Sequence, residues 1–482
     1  MIPRITLASK IETGKNLMIL VAGPGEIPSG VFSKKELDFI RAQKNEKKRE
    51  WIPFNRLDHW IIVQFIPDKK EKSTKLEECR EAGDLLQGFL NDQKEKSVTL
   101  MDGGDHSLEL MALAEGMALG SYQFLRYKSE KSDQHLLHEI RIFGGNISAT
   151  HLNLMNAALE GVAFTRDLVN EPNSYLTAPV FAKEISKLAE IPGVRVEILN
   201  KKKLEALKMG GILGVNRGSH EPPVMIILEY SPSGALNKKP YVFVGKGIVY
   251  DTGGMNLKTG SVMNNMKNDM AGGAAVAGTV LALAKAALPV HVIGIIPATD
   301  NRPGPNAIVS GDILNMHNGM TVEVMDTDAE GRLILADALS YAKRYDPELV
   351  IDLATLTGSA VRALGKAVIA GMQSGAEKEI KILEKSGFEV FERIVELPLW
   401  DDYAETLKSD IADVKNLGGP EAGAITAGKF LEKFTSYPYI HLDIAGPAYL
   451  EKRDSYRGTG ATGVGVRLLV RFVEEELSRE RK

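Results

Sequence analysis

The chain has 482 residues, 59 basic and 63 acidic, for a formal charge of -4, a balance that argues against a broad nucleic-acid-binding surface. Hydrophobic residues make up 44% and charged residues 25%, the composition of an ordinary globular protein and not of a disordered or fibrous one. This length exceeds what one hydrophobic core commonly supports, so two domains are expected.

The first apolar run, at 17–22, is short enough to be a buried strand and lacks the cleavage site of a signal peptide. From there to about residue 145, runs such as "WIIVQFI", "SVTLMDG" and "IRIFG" alternate with charged helical stretches such as "SKKELDFIRAQ" and "TKLEECREAGDLLQGFL". The alternation predicts a small α/β domain. The basic runs at 44–50 and 69–72 read as solvated faces. Cys79 is the only cysteine, which excludes an internal disulfide and fits a reducing compartment. With no apolar run of membrane-spanning length, a cytoplasmic protein without membrane association is expected. "DGGDHS" at 102–107 reads as a turn, and His135 and His138 as solvent-facing residues of a charged helical stretch.

Leu152, Met155, Leu159 and Val162 recur at helical spacing until Pro172 stops the pattern. The expected organisation is therefore an N-terminal α/β domain at 1–148, a linker helix at 149–172 and a larger C-terminal domain at 173–482. In the last, strand-like "VRVEIL", "PVMIILEY", "YVFVGKG", "VHVIGIIPA", "TVEVM", "ELVIDLATLTG", "AVIAGM" and "YIHLDIAG" are interleaved with helix candidates at 271–288, 331–345 and 426–435. Continuous apolar strands separated by helices indicate a mostly parallel sheet flanked by helices, with ligands collecting beyond the carboxyl ends of the strands.

Acidic residues gather at such ends. Asp326, Asp328 and Glu330 follow "TVEVM" and precede a helix; Lys246 ends a strand, with Asp251 in the glycine-rich loop after it; Asp269 lies just before a helix. For any one of these acids, capping of a helix N-terminus is a sufficient explanation. Three segments together favour convergence of Asp251, Asp269, Asp328 and Glu330 on one cleft. Such a cluster is stable when cations neutralise it, and two divalent ions about 3.5–4 Å apart would do so in a hydrolytic site. No HExxH is present, and an oxygen-rich set leaves manganese, magnesium and zinc open. "VGKG" at 244–247 lacks phosphate-loop spacing, and Ser359 lacks both a GxSxG frame and a histidine partner.

The runs "VGKGIVYDTGGMNLK", "MKNDMAGGAA", "DTDAEGRLILADAL" and "DLATLTG" closely resemble, in order, the signatures of the leucyl aminopeptidase family, the M17 metallopeptidases. The likeness extends upstream to "RDLVNEPNSYLTAP" and downstream to "SDIADVKN", "GAITAGKFL", "HLDIAG" and "GATGVGVRLLV", covering essentially residues 150–475. The resemblance implies a zinc-exopeptidase-like catalytic domain that hydrolyses the N-terminal bond of peptides, preferring leucine or other apolar first residues, in a homohexamer. It implies that Asp251 and Glu330 bridge two ions, Mn2+ or Zn2+ with Mg2+ and Co2+ as alternatives. Asp328 would complete one site, and Lys246 and Asp269 the tighter one. Lys258 would polarise the scissile carbonyl and Arg332 would hold a bicarbonate base. Met266, Thr355, Gly358 and Ala445 would line the first side-chain pocket, with the Leu356 backbone orienting the peptide. The chain departs from the family at Asp326, where asparagine is usual, at "VSGD" (309–312) and at Arg302. A dimetal phosphoesterase and a catalytically idle binding protein are the rival readings.

Overall fold

The computed structural model describes residues 2–130 and 132–480. The chain divides into two compact units, Met1–Leu159 with Arg453–Gly458 and Glu160–Lys452 with Thr459–Lys482.

The first unit is built on a six-stranded sheet of β1 (Arg4–Leu7), β2 (Leu17–Val21), β3 (Trp51–Asn55), β4 (Trp60–Phe65), β5 (Ser97–Asp102) and β6 (Glu139–Phe143). The strand order is β1-β6-β5-β2-β4-β3. All neighbours run parallel except β3, which is antiparallel to β4. Every residue of β2 is buried, as a central parallel strand requires. Three helices connect the strands: α1 (Lys34–Asn45), α2 (Lys72–Asp92) and α3 (Ser107–Gly120). α1 opens with a capping box, in which Ser33 and Glu36 satisfy each other's backbone N–H groups. The stretch holding His135 and His138 is not helical. Asn91 and Gln123 accept backbone N–H groups of His135, Leu136 and Leu137, and the His135 ring pairs with the Ser121 carbonyl, so side-chain anchors replace a helical ladder there. The anticipated helix after Ser148 is present as α4 (Ala149–Asn170), and the division between units falls inside it.

The second unit centres on a nine-stranded sheet. Its strands are β7 (Val194–Leu199), β8 (Val224–Tyr230), β9 (Tyr241–Gly245), β10 (Gly247–Asp251), β11 (Val292–Asn301), β14 (Leu349–Ala354), β15 (Ile369–Ser374), β16 (Ile394–Glu396) and β18 (Tyr439–Asp443). The order is β16-β15-β18-β14-β9-β11-β8-β7, with β10 also pairing β11. The middle, β18-β14-β9-β11, is parallel, and β15, β8 and β7 join antiparallel towards the edges. The small strands β12 (Ile313–Asn315), β13 (Thr321–Glu323) and β17 (Val414–Lys415) form a separate sheet. The expected strand in "TVEVM" thus exists, but outside the main sheet. Helices α5 (Ala178–Ser186), α6 (Lys201–Ala206), α7 (Gly210–Asn216), α8 (Ala271–Lys285), α9 (Gly331–Ala342), α10 (Gly358–Leu364), α11 (Glu377–Val390), α12 (Gly423–Glu432) and α13 (Val466–Glu480) complete the unit. The mixed α/β class with a mostly parallel central sheet is therefore as anticipated.

Close backbone packing sets the position of α8. A Cβ on Gly272 would lie 1.9 Å from the Leu353 carbonyl oxygen, so only glycine lets the helix start come this near the sheet. No described helix is long and apolar enough to cross a membrane.

Candidate metal centre

Lys246 interrupts what would otherwise be one strand. β9 pairs with β14 and β11 up to Gly245, and β10 resumes on β11 alone with Gly247 opposite Ala298. The step turns the Lys246 side chain inward, where a Cβ on Gly331 would lie 2.7 Å from Nζ. Glycine at the first position of α9 is what gives the ammonium room. Asp251 ends β10 instead of lying in the loop after it, because β10 keeps pairing with β11 as far as Asn301.

The anticipated residues meet here. Lys246 Nζ lies 2.7 Å from Asp269 Oδ2 and 2.8 Å from Glu330 Oε1. Lys258 Nζ lies 2.8 Å from Asp251 Oδ2 and 2.5 Å from Asp328 Oδ1. One carboxylate oxygen each from Asp251, Asp328 and Glu330 falls within 4.8 Å of the others. All are buried except Asp328, whose side chain is 31% exposed.

Four acids thus share two ammonium groups. Asp269 Oδ2, Asp328 Oδ1 and Glu330 Oε1 each meet a lysine ammonium at these distances, while Glu330 Oε2 has no hydrogen-bond partner. Burial and then the neighbouring carboxylates Asp251 and Glu330 push Asp328 up to about 7. Burial followed by Asp251 raises Glu330, and burial raises Asp269 against the pull of Lys246. Burial alone would lower the two lysines, but the surrounding carboxylates outweigh it and hold both above the ordinary lysine value. An orphaned buried oxygen among acids with raised pKa values is the signature of missing positive charge. The donor set fits divalent cations.

The loop carrying Asp328 and Glu330 is held by residues that local pattern did not single out. Asn416, fully buried, accepts the Met325 and Asp326 N–H groups and donates to the Asp326 carbonyl at 2.7 Å. Asn301 donates to Asp251 Oδ1 at 2.9 Å and to the Thr327 carbonyl at 3.0 Å. Asp326, the departure from the family pattern, accepts the Asp328 N–H at 2.8 Å and so shapes the turn. Asparagines in loops carry no periodic signal, although "SDIADVKN" contains Asn416.

Arg332, one residue into α9, is 6% exposed and donates from Nη1 to the Asn416 carbonyl at 2.7 Å, while its Nε has no partner. Burial lowers it to about 10. Thr355 donates to Asp269 Oδ1 at 2.9 Å, and its carbonyl accepts from Lys246 at 3.1 Å. Asp443 then gathers the following turn: it accepts from Leu356 N, Thr357 Oγ1 and Ala445 N at 3.2, 2.7 and 3.1 Å. Met266 sits in the one-turn helix Met266–Asn268 just before Asp269, and Gly358 starts α10. Ser359 lies within α10 and not in a turn.

A mixed α/β fold with a buried acid cluster able to hold metal ions defines the class, and comparison with known proteins narrows it. The profile of the cytosol aminopeptidase family, catalytic domain, matches residues 163–470. A probable cytosol aminopeptidase of Geobacter sulfurreducens is 45% identical over 368 residues, 75% of this chain and 74% of that one. Among solved structures, a mutant of tomato leucine aminopeptidase has a TM-score of 0.85 at 28% identity, covering 98% of this chain and 96% of that chain. A bottromycin maturation enzyme, BotP, in complex with Mn has a TM-score of 0.83 at 29% identity, covering 96% and 100%. The chain belongs to the cytosol aminopeptidase family. It is a metallo-aminopeptidase, a hydrolase acting on peptides, from a family that depends on two metal ions. Membership decides against the phosphoesterase and idle-binder readings.

Proposed function

We propose that this enzyme releases leucine or another apolar residue from the N-terminus of peptides, as a cytoplasmic homohexamer using Mn2+ or Zn2+. The observation that carries the reading is the convergence of four acids, Asp251, Asp269, Asp328 and Glu330, on only two lysines, with Glu330 Oε2 left without a donor. Asp251 and Glu330 would hold both ions, Asp328 would complete one site, and Lys246 with Asp269 the other. When bound, the ions supply Lewis acidity and a nucleophilic water at neutral pH.

Lys246 ligates only as a neutral amine. The proton that the carboxylates now keep on it is released when a dication provides the same positive charge. Lys258 stays protonated and stabilises the negative charge that grows on the scissile carbonyl oxygen. The unpartnered Nε of buried Arg332 fits a small planar anion, and bicarbonate held there would supply a general base. Met266, Thr355, Gly358 and Ala445 receive the first side chain, and the Leu356 backbone orients the peptide from a turn fixed by Asp443. The acid cluster also attracts a free α-amine, so peptides with blocked N-termini bind poorly. Catalysis belongs to residues 173–482 on this reading, with 149–172 as connecting helix and 1–148 as an accessory domain.

The test is hydrolysis of leucyl anilide and Leu-Gly by the manganese-loaded enzyme, with N-acetylated Leu-Gly as control. Turnover of the free but not the blocked substrate is expected, and no turnover of either overturns the reading.

A further inference from the structure

The turn that starts at the metal cluster continues directly into α10. Thr355 touches both Lys246 and Asp269, Thr357 caps α10 by accepting the Ala360 N–H at 3.0 Å, and Gly358 is its first residue. Arg362 stands one helical turn on, at the i+4 position that shares a face with Gly358. Its Nη1 lies 3.3 Å from where a Cβ on Gly358 would be. The far end of the helix also abuts the pocket. A Cβ on Gly446, next to Ala445, would lie 2.2 Å from the Gly365 carbonyl and 3.5 Å from Lys366 Cα. α10 therefore runs from the turn at Thr355–Gly358 to Gly365, which packs on Gly446 beside Ala445, and Arg362 stands over Gly358.

Arg362 is exposed and, among the described residues, donates to Ser359 Oγ at 3.0 Å with no carboxylate pairing it. Lys366 is likewise exposed and has no carboxylate partner among the described residues. Elsewhere in the same unit, exposed Arg217 pairs with Asp312 and exposed Arg195 with Glu229, whereas exposed Arg344 donates to the Tyr341 hydroxyl. A guanidinium left without an acid beside a glycine wall presents planar donors to whatever enters, and a carboxylate is their best match.

We propose that Arg362 is a specificity-determining residue that recognises a carboxylate of the substrate, so that peptides beginning with glutamate are cleaved alongside those beginning with leucine. The inference rests on the aminopeptidase reading and on Gly358 and Ala445 lining the pocket. The methylenes of a glutamyl side chain occupy the same apolar walls as leucine, and its carboxylate reaches the guanidinium. The C-terminal carboxylate of a short peptide offers the same chemistry from a different direction.

The experiment compares kcat/KM within matched pairs on the manganese-loaded full-length enzyme: glutamyl against glutaminyl anilide, and Leu-Gly against leucyl-glycinamide. Ratios within a pair cancel any general effect of a substitution on folding. Arg362→Gln is expected to lower the glutamyl/glutaminyl ratio about three- to tenfold, the range of a charge-assisted contact at a partly exposed site. Arg362→Glu lowers it further, and added salt shrinks the wild-type ratio, which a purely structural role would not do. A fall confined to the Leu-Gly/leucyl-glycinamide ratio supports recognition of the peptide's C-terminus as the carboxylate source. Unchanged ratios in both pairs, with leucyl anilide still cleaved, overturn the inference alone. A wild-type enzyme that cleaves none of the four substrates, nor leucyl anilide, overturns the aminopeptidase reading and this inference with it.

Discussion

In the first unit, the buried acids of α2 each face an arginine; around the metal centre of the second, buried acids outnumber the cations they meet. Glu77, 3% exposed, accepts from Arg457 and from the Tyr456 hydroxyl at 3.0 Å, and lies 3.3 Å from Arg80. Arg80 also donates to Glu115 at 2.6 Å, and Arg453 donates to Asp84 at 2.6 Å. This network returns the segment Arg453–Gly458 to the first unit, far in sequence from α2. Around Lys246 and Lys258, by contrast, four acids share two ammonium groups, Glu330 Oε2 has no donor, and three acids are raised above their ordinary pKa. A balanced cluster is a staple, satisfied by the chain itself. An unbalanced one is finished only by cations from outside.

The largest effect should come from the unbalanced cluster. Glu330→Gln removes one charge without changing shape, and kcat is expected to fall by about 10²-fold or more, in the range seen when a group acting on the transition state is lost. Thermal unfolding sharpens the contrast. Excess Mn2+ at about 100 times its Kd should stabilise the wild type by about 2.7 kcal/mol, and this increment should shrink in Glu330→Gln, whose metal-free form melts no lower than metal-free wild type. A metal-free variant much less stable than wild type would mean that the acids are structural partners and the comparison fails.

The balanced cluster should respond in the opposite way. Arg80→Ala leaves Glu77 and Glu115 short of a partner in a buried site, and a loss of about 3–5 kcal/mol is expected, equally with and without Mn2+. A manganese-dependent loss would break the distinction between the two clusters.

The smallest effect belongs to an ion pair near the surface of the first unit. Arg56, together with the Ser33 N–H, holds Glu36 down to about 2 from the model-compound 4.5. The folded state thus favours the carboxylate, so its contribution is complete above pH 4.5 and is lost as pH falls towards 2. Glu36→Gln should cost about 0.5–1 kcal/mol at pH 7, after allowing for solvent screening. The gap between variant and wild-type urea midpoints should narrow at pH 3, and a constant gap would assign the effect to packing.

Much of this architecture is legible locally. β2, β9, β14 and β18 are wholly buried strands announced by unbroken apolar runs, and α8 and α9 begin at the residues their patterns predict. Local pattern failed where partners are distant. β13 looks like a main-sheet strand but pairs with β12 and β17 in a side sheet, and the stretch at His135 has helical composition but is tied down by Asn91 and Gln123. Asn416, 90 residues from Asp326, and Asp443, 87 residues from Leu356, lie in the family-like runs "SDIADVKN" and "HLDIAG", but nothing local shows what they hold.

By itself the sequence determined which residue types could carry the chemistry and on which turns they sit, because apolar periodicity and loop glycines act over a few residues. Only the tertiary structure decided that Lys246 and Glu330 share one buried space, that four acids there share two lysines, and that Arg362 meets Ser359 and no acid among the described residues. Charge balance in a buried site is a sum over segments brought together by packing, and no single stretch of chain contains that sum.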